Sequence, residues 1–276
     1  MTLALVMGGG GIAGIAWHTG ILLGLSESGA DPTGADLLIG TSAGSTVGAQ
    51  VACGRALPEL FARQIDPATL STERTSPVGV AELVDRMIQI YSDAADAAER
   101  RRLLGAMALD ADTVDEEVRR AVIAARLDDD DEWPEHPLLI PVVEATTGRR
   151  RVLDRSSGVD LVDAVAASSA VPGVWPPVTL GEERYIDGGV WSLTNSDLAG
   201  GHDRVLVLAP IVDGSIATEL VALGTAVRNE VVSPDAGSLE AFGPDVLDPG
   251  VREPSARAGL AQGRAEADRI RALLTD

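Results

Sequence analysis

Twice within the first 54 residues an apolar run of strand length stops at glycine and gives way to a helical pattern. Leu3 to Met7 runs into Gly8-Gly9-Gly10-Gly11-Ile12-Ala13-Gly14 and then a helix expected over Ile15 to Ser28. Leu37 to Ile39 runs into Gly40-Thr41-Ser42-Ala43-Gly44 and a helix expected over Ala43 to Gly54. Strands alternating with helices in this way predict a parallel sheet covered by helices, which is the α/β class. The first glycine stretch opens a helix, so its backbone N–H groups can point at an anion. The second is a GxSxG elbow, which places Ser42 on a sharp, strained strand-to-helix turn with its hydroxyl exposed; Gly40 and Gly44 leave room for that turn.

A serine hydroxyl is a weak nucleophile at neutral pH and needs a base within hydrogen-bond reach. Of the three histidines, His18, His136 and His202, only His202 follows an acidic residue, Asp187, in the chain order of a complete elbow triad. Each histidine otherwise reads as a surface or capping residue. The competing base is Asp187 itself. Gly188 and Gly189 follow it, so the backbone can fold tightly and bring a short carboxylate against another loop. An apolar setting would raise its pKa enough to take the serine proton and return it to a leaving alkoxide. Asp-Gly-Gly alone is most often only a turn.

From about Leu57 to Asp131 strand signals vanish. Val80, Leu83, Val84, Met87, Ile88 and Tyr91 repeat at helical spacing, and Val114, Val118, Val122 and Leu127 predict a further helix. This stretch is expected to be a helical insertion at about 57–131, either covering the site or packed on the sheet face. Strands resume over Leu138 to Ala145 and Arg150 to Asp154, joined as a hairpin through Thr146-Thr147-Gly148. A helix over Val159 to Ser168, a buried strand over Val205 to Ala209 and an arginine-rich amphipathic helix over Ser255 to Leu274 complete the pattern. One domain over residues 1–276 is expected from the length.

The 276 residues carry 42 acidic and 22 basic side chains, the basic ones all arginine, for a net charge of −20. A surface this negative repels phosphate backbones, so nucleic acid is not an expected partner, and it leaves at most transient contact with anionic membranes. The single cysteine, Cys53, reads as a small buried residue and the Asp128 to Glu132 run as a solvated turn. With no leader-like N-terminus and no apolar run long enough to span a bilayer, a cytoplasmic location is expected. Nothing in the pattern sets an oligomeric state.

Four motifs in series carry a family resemblance. They are the glycine loop before a helix, Gly-Thr-Ser-Ala-Gly-Ser, Ala167-Ser168-Ser169-Ala170-Val171-Pro172 ahead of a proline-rich stretch, and Tyr185-Ile186-Asp187-Gly188-Gly189. Together, over about residues 3 to 210, they resemble the patatin-like phospholipases. The resemblance implies a three-layer α/β/α sandwich, a Ser42–Asp187 dyad, an oxyanion hole from Gly9, Gly10 and Gly11, and hydrolysis of lipid or small acyl esters with no cofactor and no metal. The chain departs from the family at the glycine loop, where Gly8 stands at a commonly acidic position and Ala13 at a commonly basic one. The absent cation and the net charge predict a preference for neutral or zwitterionic esters over anionic phospholipid.

Three other readings remain at this point. The loop Gly9 to Gly14 matches a GxGxxG dinucleotide motif, but the second strand ends in Gly40-Thr41-Ser42 where that motif expects an acidic residue. An acyltransferase would use the same serine with an alcohol as acceptor. An idle acyl-binding or regulatory protein would keep the fold without the reaction.

Overall fold

A computed structural model describes residues 1–68, 80–128 and 131–275 of the chain. Residues 69–79, 129 and 130 of the expected insertion lie outside them, as do the side chains of residues 80–84, and with them those of Val80, Leu83 and Val84. The first four elements are β1 (Leu3–Met7), α1 (Gly11–Glu27), β2 (Leu37–Gly40) and α2 (Ala43–Ala52). Helix α1 begins four residues before its expected start, because Gly11 takes φ +63° and the Gly14 N–H closes a turn on the Gly10 carbonyl at 2.8 Å. Glycine permits that left-handed entry where a side chain would resist it.

The sheet is mixed rather than wholly parallel. Strands β3 (Leu138–Glu144), β4 (Arg150–Leu153), β5 (Val178–Leu180), β6 (Glu183–Asp187), β7 (Arg204–Leu208) and β8 (Arg228–Val232) join β1 and β2 in the order β5-β6-β3-β2-β1-β7-β8, with β4 also on β3. The run β3-β2-β1-β7-β8 is parallel, whereas β4 and β6 both meet β3 antiparallel. The β3–β4 hairpin is as expected. Strands β5 and β8 are additions; β5 has three residues, and β8 alternates too weakly to stand out against its polar neighbours. Val142 of β3 pairs with Arg151 of β4 on one side and with Asp187 of β6 on the other. Strand β6 therefore ends beside β3 at the level where β2 has given way to the elbow.

Residues of β1 alternate between two cores. Leu3, Leu5 and Met7 pack with α1, α2, α3 (Leu57–Ile65), α7 (Leu161–Ser168) and α10 (Arg252–Thr275), while Ala4 and Val6 face the opposite way. That second face is covered at β1 and β7 by α8 (Ser215–Ala222) and at β3 and β6 by α5 (Ala97–Asp110). The three layers are thus α/β/α, and α5 forms part of the third. Helix α5 carries Gly105 against the Ala145 carbonyl, where a Cβ would come within 1.8 Å.

The insertion residues divide between both expected roles. Helix α4 (Val80–Asp93) turns Met87 and Ile90 toward α5 and Trp175 and leaves Ile88 and Tyr91 exposed, so among the described side chains of the expected stripe only Met87 faces inward. In α6 (Glu116–Arg126) the buried face is Arg119, Ile123 and Ala124, shifted one position from the expected Val118 and Val122; Val114 and Leu127 lie outside the helix. The shift follows from packing on α7, where Arg120 donates to Asp163 at 2.6 Å. Cys53 is half-buried rather than buried, at the end of α2. Asp128 is ion-paired with Arg55 and Arg63 at 3.2 and 2.7 Å instead of merely solvated.

The longest helix, α10, lies directly on α1 through four glycines. A Cβ on Gly20 would stand 2.2 Å from the Ala256 carbonyl, and one on Gly263 would stand 2.4 Å from that of Ile21. Trp17 is clasped across this seam by Ser238 Oγ and Gln262 Oε1, both at 3.1 Å. Gly20→Ala must push the helix backbones apart and should cost about 1–3 kcal/mol, lowering Tm by roughly 2–4 °C for each kcal/mol. Gly34→Ala, where a Cβ would meet nothing within 4 Å, should stay within about 0.5 kcal/mol of wild type. Thermal denaturation of the two variants checks the contrast, and equal melting temperatures would refute the seam.

Candidate active site

The elbow is built against the end of β1. The Thr41 N–H donates to the Met7 carbonyl at 3.0 Å and the Gly44 N–H to that of Gly8 at 3.2 Å. A Cβ at Gly44 would fall 1.9 Å from the Met7 oxygen, so only glycine allows the helix to start this close to the strand. Held from both sides, Ser42 adopts φ 53° and ψ −113°, a strained conformation for a residue with a side chain. Its N–H donates to Ser168 Oγ at 3.1 Å, and that hydroxyl donates in turn to the Pro141 carbonyl at 2.8 Å.

The strained turn aims the Ser42 hydroxyl at the end of β6. Ser42 Oγ donates to Asp187 Oδ2 at 2.7 Å, and the Gly189 N–H donates to Oδ1, also at 2.7 Å. Gly188 lets β6 press against β3, since a Cβ there would come within 2.3 Å of the Pro141 carbonyl. Asp187 is only 5% exposed. Burial pushes its carboxyl up to about 6; the bonds from Ser42 and Gly189 and the nearby Arg119 guanidinium pull in the opposite direction without cancelling that effect.

None of the histidines hydrogen-bonds Ser42 or Asp187 among the described residues. His202 lies in a turn where its Nδ1 donates to the Ala199 carbonyl at 3.1 Å. His136 borders a separate cavity with Trp133 and Arg155. His18 is not the surface or capping residue expected from sequence but is fully buried in α1, its Nε2 donating to the Gly8 carbonyl at 2.9 Å. A carbonyl can only accept, so Nε2 carries the proton; burial holds the ring's pKa down at about 4, and it is neutral at physiological pH.

The glycine loop is fixed at its base and open at its tip. The Gly8 and Gly9 N–H groups donate to the Leu208 and Leu193 carbonyls at 2.9 and 2.8 Å, so Gly9 is already engaged. Gly10 and Gly11 donate to no acceptor among the described residues. A cavity of about 30 Å³ is lined by Gly11, Ser42, Ala43, Arg119, Ser169 and Trp175, among others.

Two contributors were not legible in the sequence. Asn195, buried and left-handed at φ 52°, donates from Nδ2 to Thr41 Oγ1 at 3.1 Å and to the Gly188 carbonyl at 3.4 Å, latching the elbow to the Asp187 loop. Arg119 is 4% exposed with its guanidinium 4.1 Å from the centre of the Trp175 ring. A single arginine in a charged helix carries no local mark of burial; its place over Trp175 is set by the folded chain.

No curated protein sequence matches the chain. Among solved structures it is similar to VipD from Legionella pneumophila, at 12% identity and a TM-score of 0.47, over 98% of this chain and 67% of that one. It is also similar to the type III effector protein ExoU, at 16% identity and a TM-score of 0.43, over 98% of this chain and 53% of that one. The sequence profile of the patatin-like phospholipases matches residues 5–195, the span that holds the glycine loop, the elbow, Ser168, Asp187 and Asn195, and the chain belongs to that family.

Proposed function

We propose that the protein is a serine-dependent lipid acyl hydrolase in which Ser42 is the nucleophile, Asp187 the base, and the Gly10 and Gly11 N–H groups the oxyanion donors. The observation that carries this reading is the 2.7 Å hydrogen bond from a strained serine to a buried carboxylate of raised pKa. Asp187 takes the Ser42 proton as Oγ attacks the ester carbonyl, and the free glycine N–H groups receive the charge developing on the carbonyl oxygen. Collapse of the tetrahedral intermediate breaks the ester C–O bond, and Asp187 returns its proton to the departing alkoxide. Water then attacks the acyl–serine as Asp187 takes one of its protons; collapse of the second tetrahedral intermediate breaks the acyl C–Oγ bond, Asp187 returns the proton to Ser42 Oγ, and the carboxylic acid leaves. The carboxylate needs no histidine because burial already brings its basicity toward neutrality.

Ser42→Ala should lower turnover of a soluble ester by a factor on the order of 10⁴ to 10⁶. A fluorophosphonate probe should label the wild-type chain once, at Ser42; labelling at Ser45 or Ser169 would refute the assignment. Asp187→Asn should lose about as much, because the two groups act as one unit. His202→Ala should change turnover by less than about threefold, and a hundredfold loss would revive a triad.

The pH dependence follows from the same carboxyl. Only its ionised form accepts a proton, so kcat/KM should rise through a single ionisation near pH 6 and level off above it. A flat profile between pH 5 and 8 would exclude this base. Stability runs the other way. The folded chain holds the Asp187 proton more tightly than the unfolded one, so its contribution is complete below the unfolded value of 3.8 and is lost as pH rises through about 6. At pH 8 Asp187→Asn should accordingly melt no lower than wild type while remaining inactive.

A further inference from the structure

Three consecutive arginines, Arg149, Arg150 and Arg151, lead into β4. Successive side chains of a strand leave on opposite faces, so neighbours in such a run meet different surroundings. Arg149 is 77% exposed and paired with Glu144 at 3.3 Å. Arg151 donates to the Tyr185 hydroxyl and to the Ser157 carbonyl, both at 3.3 Å. Arg150 turns instead toward the segment that follows Asp187. Its two terminal nitrogens donate to the two carboxylate oxygens of Asp197 at 2.7 and 2.6 Å, a bidentate pair, and Nη1 also donates to Asn195 Oδ1 at 3.0 Å. The same guanidinium lies 5.0 Å from the centre of the Trp191 ring, and that of Arg101 lies 4.2 Å from it.

An arginine only donates, so the atom of Asn195 that faces it must be the amide oxygen. Nδ2 therefore points the other way, to the Ser192 carbonyl at 2.7 Å, Thr41 Oγ1 at 3.1 Å and the Gly188 carbonyl at 3.4 Å. Thr41 immediately precedes Ser42, and Gly188 immediately follows Asp187. One planar amide thus bridges the two backbones that must hold Ser42 Oγ and Asp187 Oδ2 at 2.7 Å. Asn195 is fully buried, and Arg150 is the donor to its oxygen. Without that donor the oxygen would be buried and unsatisfied, and the amide would shift or turn to find another.

Resting on the dyad reading, we infer that Arg150 is a positioning residue for the reaction: it clamps the Asn195 amide, and the amide sets the separation of Ser42 and Asp187. Arg150 touches neither of the reacting side chains and acts through Asn195. Glu219 holds the same segment independently, accepting from the Ser196 N–H and hydroxyl at 2.9 and 2.7 Å, so removal of Arg150 leaves the segment attached to the fold.

Arg150→Met should lower kcat on a soluble ester by about 10- to 100-fold, the scale of a misplacement of about 1 Å, with KM changed by less than about twofold. Arg150→Lys keeps the charge and a donor without the planar fork and should recover part of the loss; should Arg150→Met not fold, the lysine variant carries the same test with a smaller loss. Arg151→Met, one residue along β4, should change kcat by less than about threefold. The double variant Arg150→Met with Asn195→Ala should lose no more than Asn195→Ala alone, because the two act in series. Each is assayed well below its own Tm. A kcat for Arg150→Met within about threefold of wild type, an equal loss in Arg151→Met, or additive losses in the double variant would overturn the clamp.

The Asp187 titration separates this inference from the hydrolase reading, since it needs no turnover. Burial sets that carboxyl high, and Ser42, Gly189 and Arg119 pull it down, so loosening the bond from Ser42 should move it above its value of about 6. Carbon NMR of the labelled carboxyl, assigned by its absence from Asp187→Asn, should show this upward move in Arg150→Met and none in Arg151→Met. An upward move in a chain that hydrolyses no ester would overturn the hydrolase reading and leave the clamp standing. An unmoved titration in an active enzyme would overturn the clamp and leave the hydrolase reading intact.

Discussion

The carbonyl oxygen of Gly8 is the junction on which the site depends. It accepts the Gly44 N–H from the elbow at 3.2 Å and the His18 Nε2–H from inside α1 at 2.9 Å, while the Met7 carbonyl beside it accepts the Thr41 N–H. The end of one strand thereby fixes the glycine loop, the nucleophile turn and the first helix relative to one another. A neutral imidazole suits that task because it donates to a carbonyl without bringing a charge into a fully buried position. Protonating it would do so, and burial resists that down to a pKa of about 4.

Asp187 shows the cost of the arrangement. A carboxylate that is 5% exposed is held by one hydroxyl and one backbone N–H, with Arg119 nearby, and these do not offset the loss of water. The raised pKa that makes it a competent base is the same free energy that disfavours its ionised form in the folded chain. Such a group persists because surrounding structure over-determines it: β6 is paired to β3 at Val142, Gly188 allows close approach to Pro141, and Asn195 ties the following loop to Thr41.

The helices between the elbow and β3 contribute in two ways. Helix α5 packs on the sheet face over Val143, Ala145 and Ile186, completing the third layer, and α6 delivers Arg119 and Arg126 to the cavity beside Ser42. Polarity in this segment is therefore a poor guide to exposure. The Arg119 guanidinium sits over the Trp175 ring, where the cation–π contact offsets part of the loss of water around it.

Local sequence was enough for the elements and motifs whose cause is local. The alternation of β1, α1, β2 and α2, the β3–β4 hairpin and α10 follow from apolar period and glycine placement, and Ser42 stands out because an elbow requires glycine on both sides. Asp187 was legible only in series with the other motifs, since an Asp-Gly-Gly turn has many uses. The burial of His18, the engagement of Gly9, the Asn195 latch and its contact with Arg150 were not legible. Each depends on partners distant in sequence: Gly8 faces Leu208, Gly9 faces Leu193, and Asn195 faces Thr41 and Arg150. The sequence by itself determined where strands yield to helices and which serine sits at the strained turn, because those follow from sterics within a few residues. Tertiary structure alone decided which carboxylate reaches that serine, what its pKa becomes and which side chains brace the two, because burial and long-range pairing exist only once the chain has folded.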